Sequence, residues 1–226
     1  MTTSVNRHGL PPNVRRWLDR SVPLETPVPD RVTNTQVGEI EVRGRWMPFT
    51  AATLYDREPF AFRWEAKVSA LPGVAVMAED AHNGERGWGG SKLWGLIPMG
   101  SRKGPEVLGM QLVRHLAEFP WMPQLALGLP QLVWTDTGQS TFQVSTSIGS
   151  RTEAVTFTLD GDDQVIRATS NRPYDVPGGF EEAPWNCEFT GHRAFGNIHM
   201  PEAAVATYAK SDGDWTYWRC RVVSVA

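Results

Sequence analysis

The sequence predicts a mainly β protein in which one antiparallel, strongly curved sheet of about eleven or twelve strands forms an open or closed barrel. Three observations predict this fold. Apolar and polar residues alternate along most of the 226-residue chain, as they do when successive side chains point to opposite faces of a strand. The segments between these strands are too short for the crossovers that parallel strands require. Helical spacing of apolar residues occurs in only two places, which predicts an N-terminal helix and one helix across the mouth of the barrel.

The segment FAFRWEAKV, residues 60–68, shows the alternation most clearly. Phe60, Phe62 and Trp64 fall on one side of an extended chain, whereas the charged residues fall on the other. This pattern predicts a strand with one buried and one solvent-facing side. Asn-Gly and Asp-Gly dipeptides between several strands are typical of hairpin turns. The other segments that predict strands are VGEIEVRG, RWMPFTAATLY, VAVMAEDA, QLVWTDT, STFQVSTSI, EAVTFTLD, QVIRATS, WNCEFTGHRAF, AAVATYA and WTYWRCRVVSV.

Two helices are predicted from apolar residues at three- and four-residue spacing. The first has Pro12 near its first turn and precedes a proline-rich connector, residues 21–30. The second begins at Pro105, which suits a first helical turn, and ends at a Phe-Pro pair. Its apolar face contains Leu108, Leu112, Val113, Leu116 and Phe119.

The chain shows no internal repeat and no composition change that marks a boundary, so a single domain over residues 1–226 is predicted. The two acidic pairs Glu181-Glu182 and Asp162-Asp163 are predicted to lie in solvated turns. The predicted parts are an N-terminal helix with its connector (1–30), a first strand meander (36–100), the lid helix (104–119) and a second strand meander (131–226).

Composition and motifs argue against several classes of function. A formal charge of −3 without a basic stripe argues against nucleic-acid binding. Cys187 and Cys220 supply neither a disulfide framework nor a zinc motif, and the five histidines lack metal-ligand spacing, so we expect no metal. The chain has no phosphate-binding loop or Gly-x-Ser-x-Gly elbow, so we expect no cofactor. It also lacks an apolar signal segment and any run near the roughly 18 residues of a membrane span, which predicts a cytoplasmic protein.

Tryptophan is unusually frequent, with ten residues, and its large ring with one N–H suits the wall of an amphipathic pocket. Core packing in a large sheet accounts for part of this frequency. A strongly curved sheet encloses more interior than one short helix fills, so an apolar cavity under the helix is predicted. The candidate residues are Tyr55, Phe62, Trp64, Met77, Trp94, Leu112, His115, Trp121, His199, Tyr208 and Trp218.

Several strings also resemble a bacterial family of unknown function. They are LPPNVRRWL (10–18), GRWMPFTAATLY (44–55), PFAFRWEAKV (59–68), LWGLIP (93–98), LVRHLAEFPWMP (112–123) and YWRCRV (217–222). The resemblance covers nearly the whole chain and implies an architecture like that of lipoprotein carriers, with an unclosed antiparallel barrel and a helical lid. This chain has His115 where the family has Tyr, and Gln111 where the family has an acidic residue, which implies a retuned pocket wall.

A narrower resemblance is to the cofactor-free pericyclases of polyketide macrolactone biosynthesis, of the streptoseomycin and nargenicin type. The likeness lies in size, aromatic content and the lack of metal and nucleotide motifs, and it transfers no catalytic residue.

Two functions fit these observations. The first is a cofactor-independent cyclase that holds a bulky, apolar, polyketide-like substrate for an intramolecular cycloaddition, a reaction that depends on positioning. In this hypothesis Trp64 stacks on the substrate as a catalytic residue, and Tyr55 or His199 donates a hydrogen bond to it. The substrate-binding residues would be Phe62, Met77, Trp94, Leu112, His115, Trp121, Tyr208 and Trp218.

The alternative is a non-catalytic carrier or sensor of lipid-like hydrophobic molecules, which would use the same cavity. General acid/base chemistry at His115 or His199 is a third and weaker hypothesis. The sequence identifies neither the substrate nor the oligomeric state.

Overall fold

The computed structural model describes residues 7–226, which form fifteen strands and three α-helices together with two short 3₁₀ helices. The 3₁₀ helices are Arg7–Gly9 and Phe119–Trp121, and the α-helices are α1 (Pro12–Ser21), α2 (Pro105–Ala117) and α3 (Pro123–Ala126). The strands are β1 (Arg31–Val42), β2 (Arg45–Asp56), β3 (Ala61–Leu71), β4 (Val74–His82), β5 (Gly87–Leu93), β6 (Ile97–Lys103), β7 (Val133–Asp136), β8 (Thr141–Ile148), β9 (Arg151–Leu159), β10 (Val165–Val176), β11 (Gly179–Thr190), β12 (Arg193–Phe195), β13 (Ile198–Met200), β14 (Ala203–Lys210) and β15 (Gly213–Val225).

Thirteen strands form one antiparallel sheet in the order β6-β5-β4-β3-β2-β1-β15-β14-β11-β10-β9-β8-β7, and β12 pairs with β13 in a separate hairpin. The sheet curls into a half-barrel whose edge strands are β6 and β7. The predicted curved antiparallel sheet is therefore confirmed. The sheet joins the two predicted meanders where the first strand, β1, pairs with the last, β15.

The strand count is higher than the sequence predicted, and β6 shows why. This edge strand is exposed along nearly its whole length, so its sequence, IPMGSRK, carries no alternation of apolar and polar residues. β12 and β13 have only three residues each, which is too short for a periodic signal. Glu181 and Glu182 are exposed as expected, but they lie in β11 instead of a turn.

The strand that contains FAFRWEAKV follows the predicted alternation. In β3 the side chains of Phe62 and Trp64 are buried, whereas those of Arg63 and Glu65 are exposed. Phe62 lies opposite Tyr55 and Trp64 opposite Thr53 on β2, so the buried face continues across neighbouring strands. This face is the concave side of the sheet, and the core lies between it and α2.

The helix α2 lies inside the curl of the sheet. Ten of its thirteen residues are buried, and it contacts β4, β5 and β6 on one side and β9 and β10 on the other. Gly87 permits this close approach, because a Cβ atom at that position would overlap the backbone of Leu108. The helix therefore covers the concave face of the sheet and is also part of the core.

The N-terminal helix α1 closes another part of the core. Trp17 stacks on Phe142, with ring centroids 5.4 Å apart, and on Phe157 at 6.3 Å. Asn13 anchors the start of the helix, since its side-chain amide donates to the carbonyl groups of Gly138 and Thr141. No helix within residues 7–226 has the length and apolar character needed to cross a membrane.

Candidate functional site

A cavity of about 230 Å³ lies between the C-terminal half of α2 and the concave face of the sheet. Its helix side includes Met110, Arg114 and Ala117. Its sheet side comes from β1, β3, β4 and β6 together with β10, β11, β14 and β15. Aromatic residues make up nine of the 21 residues that line it. The nine aromatic lining residues are Trp64, Trp121, Tyr174, Trp185, Phe189, Tyr208, Trp215, Tyr217 and Trp218.

Strand register explains why these rings surround an open space. Trp185 on β11 lies opposite Tyr208 on β14, and Ala206 on β14 lies opposite Trp218 on β15. Alternation brings such residues to the concave face together. Ala206, Cys187 on β11 and other small side chains stand between the rings, so the space between the helix and the sheet stays unfilled.

A buried carboxylate, Asp80, organises the polar wall of the cavity. Its Oδ1 accepts hydrogen bonds from Arg102 Nη2 at 2.8 Å and Gln111 Nε2 at 2.9 Å, and its Oδ2 accepts one from Arg114 Nη1 at 3.0 Å. Burial alone would raise the pKa of Asp80, but the two guanidinium groups outweigh it and hold this pKa below its usual value. Arg102 also pairs with Asp175 at the edge of the site.

A second buried carboxylate, Glu118, extends this network towards Trp64. Glu118 accepts a hydrogen bond from Arg114 Nε at 2.8 Å and another from the Tyr55 hydroxyl. The chain continues from Tyr55 to Asn34 at 3.0 Å, then to Gln36 at 3.1 Å, and Gln36 Oε1 accepts from Trp64 Nε1 at 3.3 Å. The pKa of Tyr55 is raised well above 10, mainly by burial and to a smaller extent by the charge of Glu118. The hydroxyl therefore stays protonated.

Arg172 on β10 forms a third polar feature of the wall. Its side chain is only 5% exposed. Nε donates to the carbonyl of Met110 at 3.2 Å, and Nη1 donates to the Tyr217 hydroxyl at 2.8 Å. Trp185 Nε1 donates to the same hydroxyl at 3.0 Å, and the guanidinium carbon lies 5.5 Å from the Trp185 ring centroid. The cavity therefore combines an aromatic wall with a cationic, hydrogen-bonding corner.

Four of the residues predicted for the cavity lie on its wall, namely Trp64, Trp121, Tyr208 and Trp218. Trp121 contacts Trp218, with ring centroids 6.2 Å apart. These four residues come from β3, the 3₁₀ helix after α2, β14 and β15, so the fold brings distant parts of the chain together here. Their proposed part in ligand binding stays a prediction.

Four other predicted residues are buried in the packed core outside the cavity wall. They are Tyr55, Phe62, Leu112 and His115. His115 stacks on Phe60, with ring centroids 4.2 Å apart, and its Nδ1 lies 2.8 Å from Nε2 of His82. Gln111 is likewise absent from the cavity wall and bonds to Asp80. His115 and Gln111 therefore take part in hydrogen bonding behind the wall and do not line the cavity.

The remaining three predicted residues lie elsewhere. Met77 is 39% exposed on the outer face of β4, opposite Lys67, and borders a solvent-open cleft along β4, β5 and β6. Trp94 is 54% exposed in the turn after β5. His199 lies in the β12–β13 hairpin, where its ring is 6.4 Å from that of His192. The structure thus does not place these three side chains at the predicted cavity.

Sequence reasoning missed most of the polar wall. Asp80, Arg102 and Arg172 are charged residues that face inwards from strands, and an alternation pattern assigns charged residues to solvent. One signal was available, because Glu118, the residue directly after α2, is four positions from Arg114, and residues at this spacing lie on one helical face. The aromatic wall from Trp185, Trp215 and Tyr217 needs the topology of β10 to β15, which no local pattern reveals.

Three solved structures show distant likeness to this one. A LolA superfamily protein from Nitrosomonas europaea is 8% identical, with a TM-score of 0.47, and the match covers 94% of this chain and 92% of that one. A putative outer membrane lipoprotein-sorting protein domain from Vibrio parahaemolyticus is 10% identical, with a TM-score of 0.49 and coverage of 95% and 90%. A DUF1329 family protein from Desulfovibrio piger ATCC 29098 is 10% identical, with a TM-score of 0.49 and coverage of 94% and 89%.

No match was found among curated proteins. The family comparison is more definite, since it covers nearly the whole chain. Residues 2–220 match DUF6544, a family of unknown function, and the chain therefore belongs to that family.

Proposed function

We propose that this protein binds a hydrophobic small molecule in the cavity beneath α2 and holds it as a non-catalytic carrier or sensor. The observation that carries this proposal is the space of about 230 Å³ surrounded by nine aromatic side chains. Ligand sites are concave and mostly apolar, with a few polar groups that orient the ligand. This cavity has both properties.

The cost of leaving the cavity empty supports the same conclusion. Protein interiors are packed as densely as organic crystals, so an unfilled space forgoes dispersion contacts. On a scale of roughly 24 cal/mol per Å³, leaving a space of 230 Å³ dry costs at most about 5.5 kcal/mol. A bound apolar molecule would recover part of that energy.

The volume indicates how much of a ligand the cavity can enclose. If each water-sized group takes roughly 30 Å³, the cavity holds about eight such groups. Eight buried methylenes at about 0.8 kcal/mol each give about 6 kcal/mol before the costs of binding. An eight-carbon chain held by apolar contacts alone should therefore have a dissociation constant no tighter than tens of micromolar.

The test is a titration with 1-octanol, followed by tryptophan fluorescence and calorimetry. Five tryptophans line the cavity, at positions 64, 121, 185, 215 and 218, so occupancy should change the emission. Ala206→Leu extends a side chain into the cavity and should weaken octanol binding at least tenfold without lowering the unfolding temperature.

The matched control removes apolar surface away from the cavity. Leu96 and Met99 are exposed near and on edge strand β6, where an apolar probe would bind nonspecifically. Leu96→Gln and Met99→Gln should leave octanol binding unchanged. Binding that survives in folded Ala206→Leu but is lost in these surface variants would refute the cavity as the site.

The cycloaddition hypothesis requires the same aromatic enclosure, and Trp64 lies on its wall. Its two expected hydrogen-bond donors are placed unfavourably. The Tyr55 hydroxyl is already bonded to Glu118, and His199 lies in the β12–β13 hairpin away from the cavity wall. No observation favours catalysis over binding, so cyclase activity stays an untested prediction.

A further inference from the structure

The cavity wall has more hydrogen-bond donors than acceptors, and Arg172 shows this most clearly. Its guanidinium group is buried, and no carboxylate oxygen within residues 7–226 lies at ion-pair distance from it. Its partners are the uncharged oxygens of Met110 and Tyr217. A buried charge normally has an opposite charge beside it, because burying it alone is costly.

The carboxylates near Arg172 are already used by other donors. Asp80 accepts from Arg102, Arg114 and Gln111. Glu118 accepts from Arg114 and Tyr55. The carboxylates at the edge of the site are also engaged, since Asp175 pairs with Arg102 and Glu41 accepts from Trp215 Nε1 at 2.6 Å.

Further N–H and O–H groups on the wall are donors without an acceptor. Arg114 Nη2 and Trp218 Nε1 are buried and have no hydrogen-bond partner among the described residues, and both side chains border the cavity. The Tyr217 hydroxyl receives hydrogen bonds from Arg172 and Trp185, and its own proton is left for another acceptor. A ligand that supplies acceptor oxygens would therefore complete the hydrogen bonds of this wall.

We propose, building on the proposed function, that the hydrophobic ligand ends in a carboxylate, and that Arg172 and Tyr217 bind this head group. A guanidinium group matches a carboxylate in both charge and geometry, because two N–H groups can donate to its two oxygens. The apolar chain lies among Trp121, Phe189 and Trp218. The ligand class is thus a fatty acid, of which the cavity encloses about eight carbons.

The first test compares octanoate with octanol on the wild-type protein near pH 7.5, where octanoate is ionised. Both have an eight-carbon chain and differ only in the head group. Octanoate should bind at least tenfold more tightly by calorimetry. Equal or tighter binding of octanol would refute the acid head group while leaving hydrophobic binding intact, whereas failure of both ligands to bind would refute both proposals.

The second test removes the charge. Arg172→Met should weaken octanoate at least tenfold and leave octanol unchanged. The matched control is Arg167→Met on the same strand, whose exposed side chain pairs with Glu188 and whose loss changes the net charge equally. The affinity of Arg167→Met for octanoate should equal that of the wild-type protein. An equal loss in both variants would overturn the assignment of Arg172.

A third variant keeps the test decisive if Arg172→Met does not fold. Tyr217→Phe removes the hydroxyl assigned to the head group and keeps the aromatic ring. It should weaken octanoate severalfold and octanol hardly at all. If folded Tyr217→Phe binds octanoate as tightly as the wild-type protein does, the assignment of the head group to this corner of the cavity is wrong.

Discussion

Asp80→Asn is the substitution that most strongly tests the charge network behind the cavity. Asp80 is buried on β4 and joins Arg102 to Arg114 through hydrogen bonds of 2.8 and 3.0 Å. Asparagine keeps the shape of the side chain but removes its charge. Two guanidinium groups would then share only the carboxylates that remain.

The expected loss of stability follows from how buried each arginine is. Removing one partner of a buried ion pair typically costs about 3–5 kcal/mol. Here Arg114 keeps Glu118, and Arg102, with a side chain 32% exposed, keeps Asp175. We therefore expect Asp80→Asn to lower the free energy of unfolding by about 3 kcal/mol, the low end of that range. With a urea m-value of about 2–3 kcal/mol/M, the unfolding midpoint should fall by about 1–1.5 M.

The control is an exposed ion pair of similar length. Glu188 and Arg167 are 2.7 Å apart with both side chains 53% exposed, and exposed pairs contribute about 0–1 kcal/mol. Glu188→Gln should therefore shift the urea midpoint by at most a few tenths of 1 M. A similarly small shift for Asp80→Asn would refute the structural role assigned to this network.

The pH dependence of Asp80→Asn supplies a second readout. The pKa of Asp80 is lowered in the folded state, so its contribution is present above the unfolded-state value of about 3.8. That contribution is lost as the pH falls below this value. The stability difference between the wild-type protein and Asp80→Asn should thus be constant near neutrality and shrink in acid.

Three further predictions concern other groups behind or beside the cavity. Burial lowers the pKa of His82 to about 3, and burial and His82 together lower that of His115 well below 6.5. The folded protein therefore binds fewer protons than the unfolded chain, and stability should be lost as the pH falls from 6.5 towards 3, by about 1.4 kcal/mol per pH unit and histidine. Urea unfolding of wild-type and His82→Gln protein at pH 7.5 and 5.5 checks this, and equal pH slopes would contradict it. Gln111→Glu places a second carboxylate against Asp80, where Gln111 Nε2 now donates at 2.9 Å, and should cost about 2 kcal/mol at pH 7; an unchanged urea midpoint would show that the site tolerates the acidic residue. Arg172→Met leaves no carboxylate without its partner, so it should change the stability of the ligand-free protein by less than about 1 kcal/mol; a loss above 2 kcal/mol would assign Arg172 to the fold instead of the ligand.

Much of the fold follows from local patterns, because β3 and α2 each bury one regular stripe of side chains. The alternation in β3 predicts correctly that Phe62 and Trp64 are buried. The helical spacing before Pro120 predicts α2, and its apolar stripe through Leu112 and Leu116 is fully buried. Edge strand β6 escapes prediction because solvent surrounds it and no stripe is needed.

The candidate site is less predictable, because its residues depend on how the sheet curls. On β4, apolar Met77 faces outwards and acidic Asp80 faces inwards, which reverses the usual assignment by polarity. Asp80 can face inwards because Arg102 and Arg114 form ion pairs with it there. Pairing of β1 with β15 and of β11 with β14 then completes a wall from residues far apart in sequence.

The central claim is that a hydrophobic molecule occupies the space between α2 and the strands β11, β14 and β15. A crystal structure grown with octanol tests it most directly. The account predicts continuous electron density for the alkyl chain, in contact with Trp121 and Trp218. Density only for water in the cavity, in crystals whose protein demonstrably retains octanol, would contradict it.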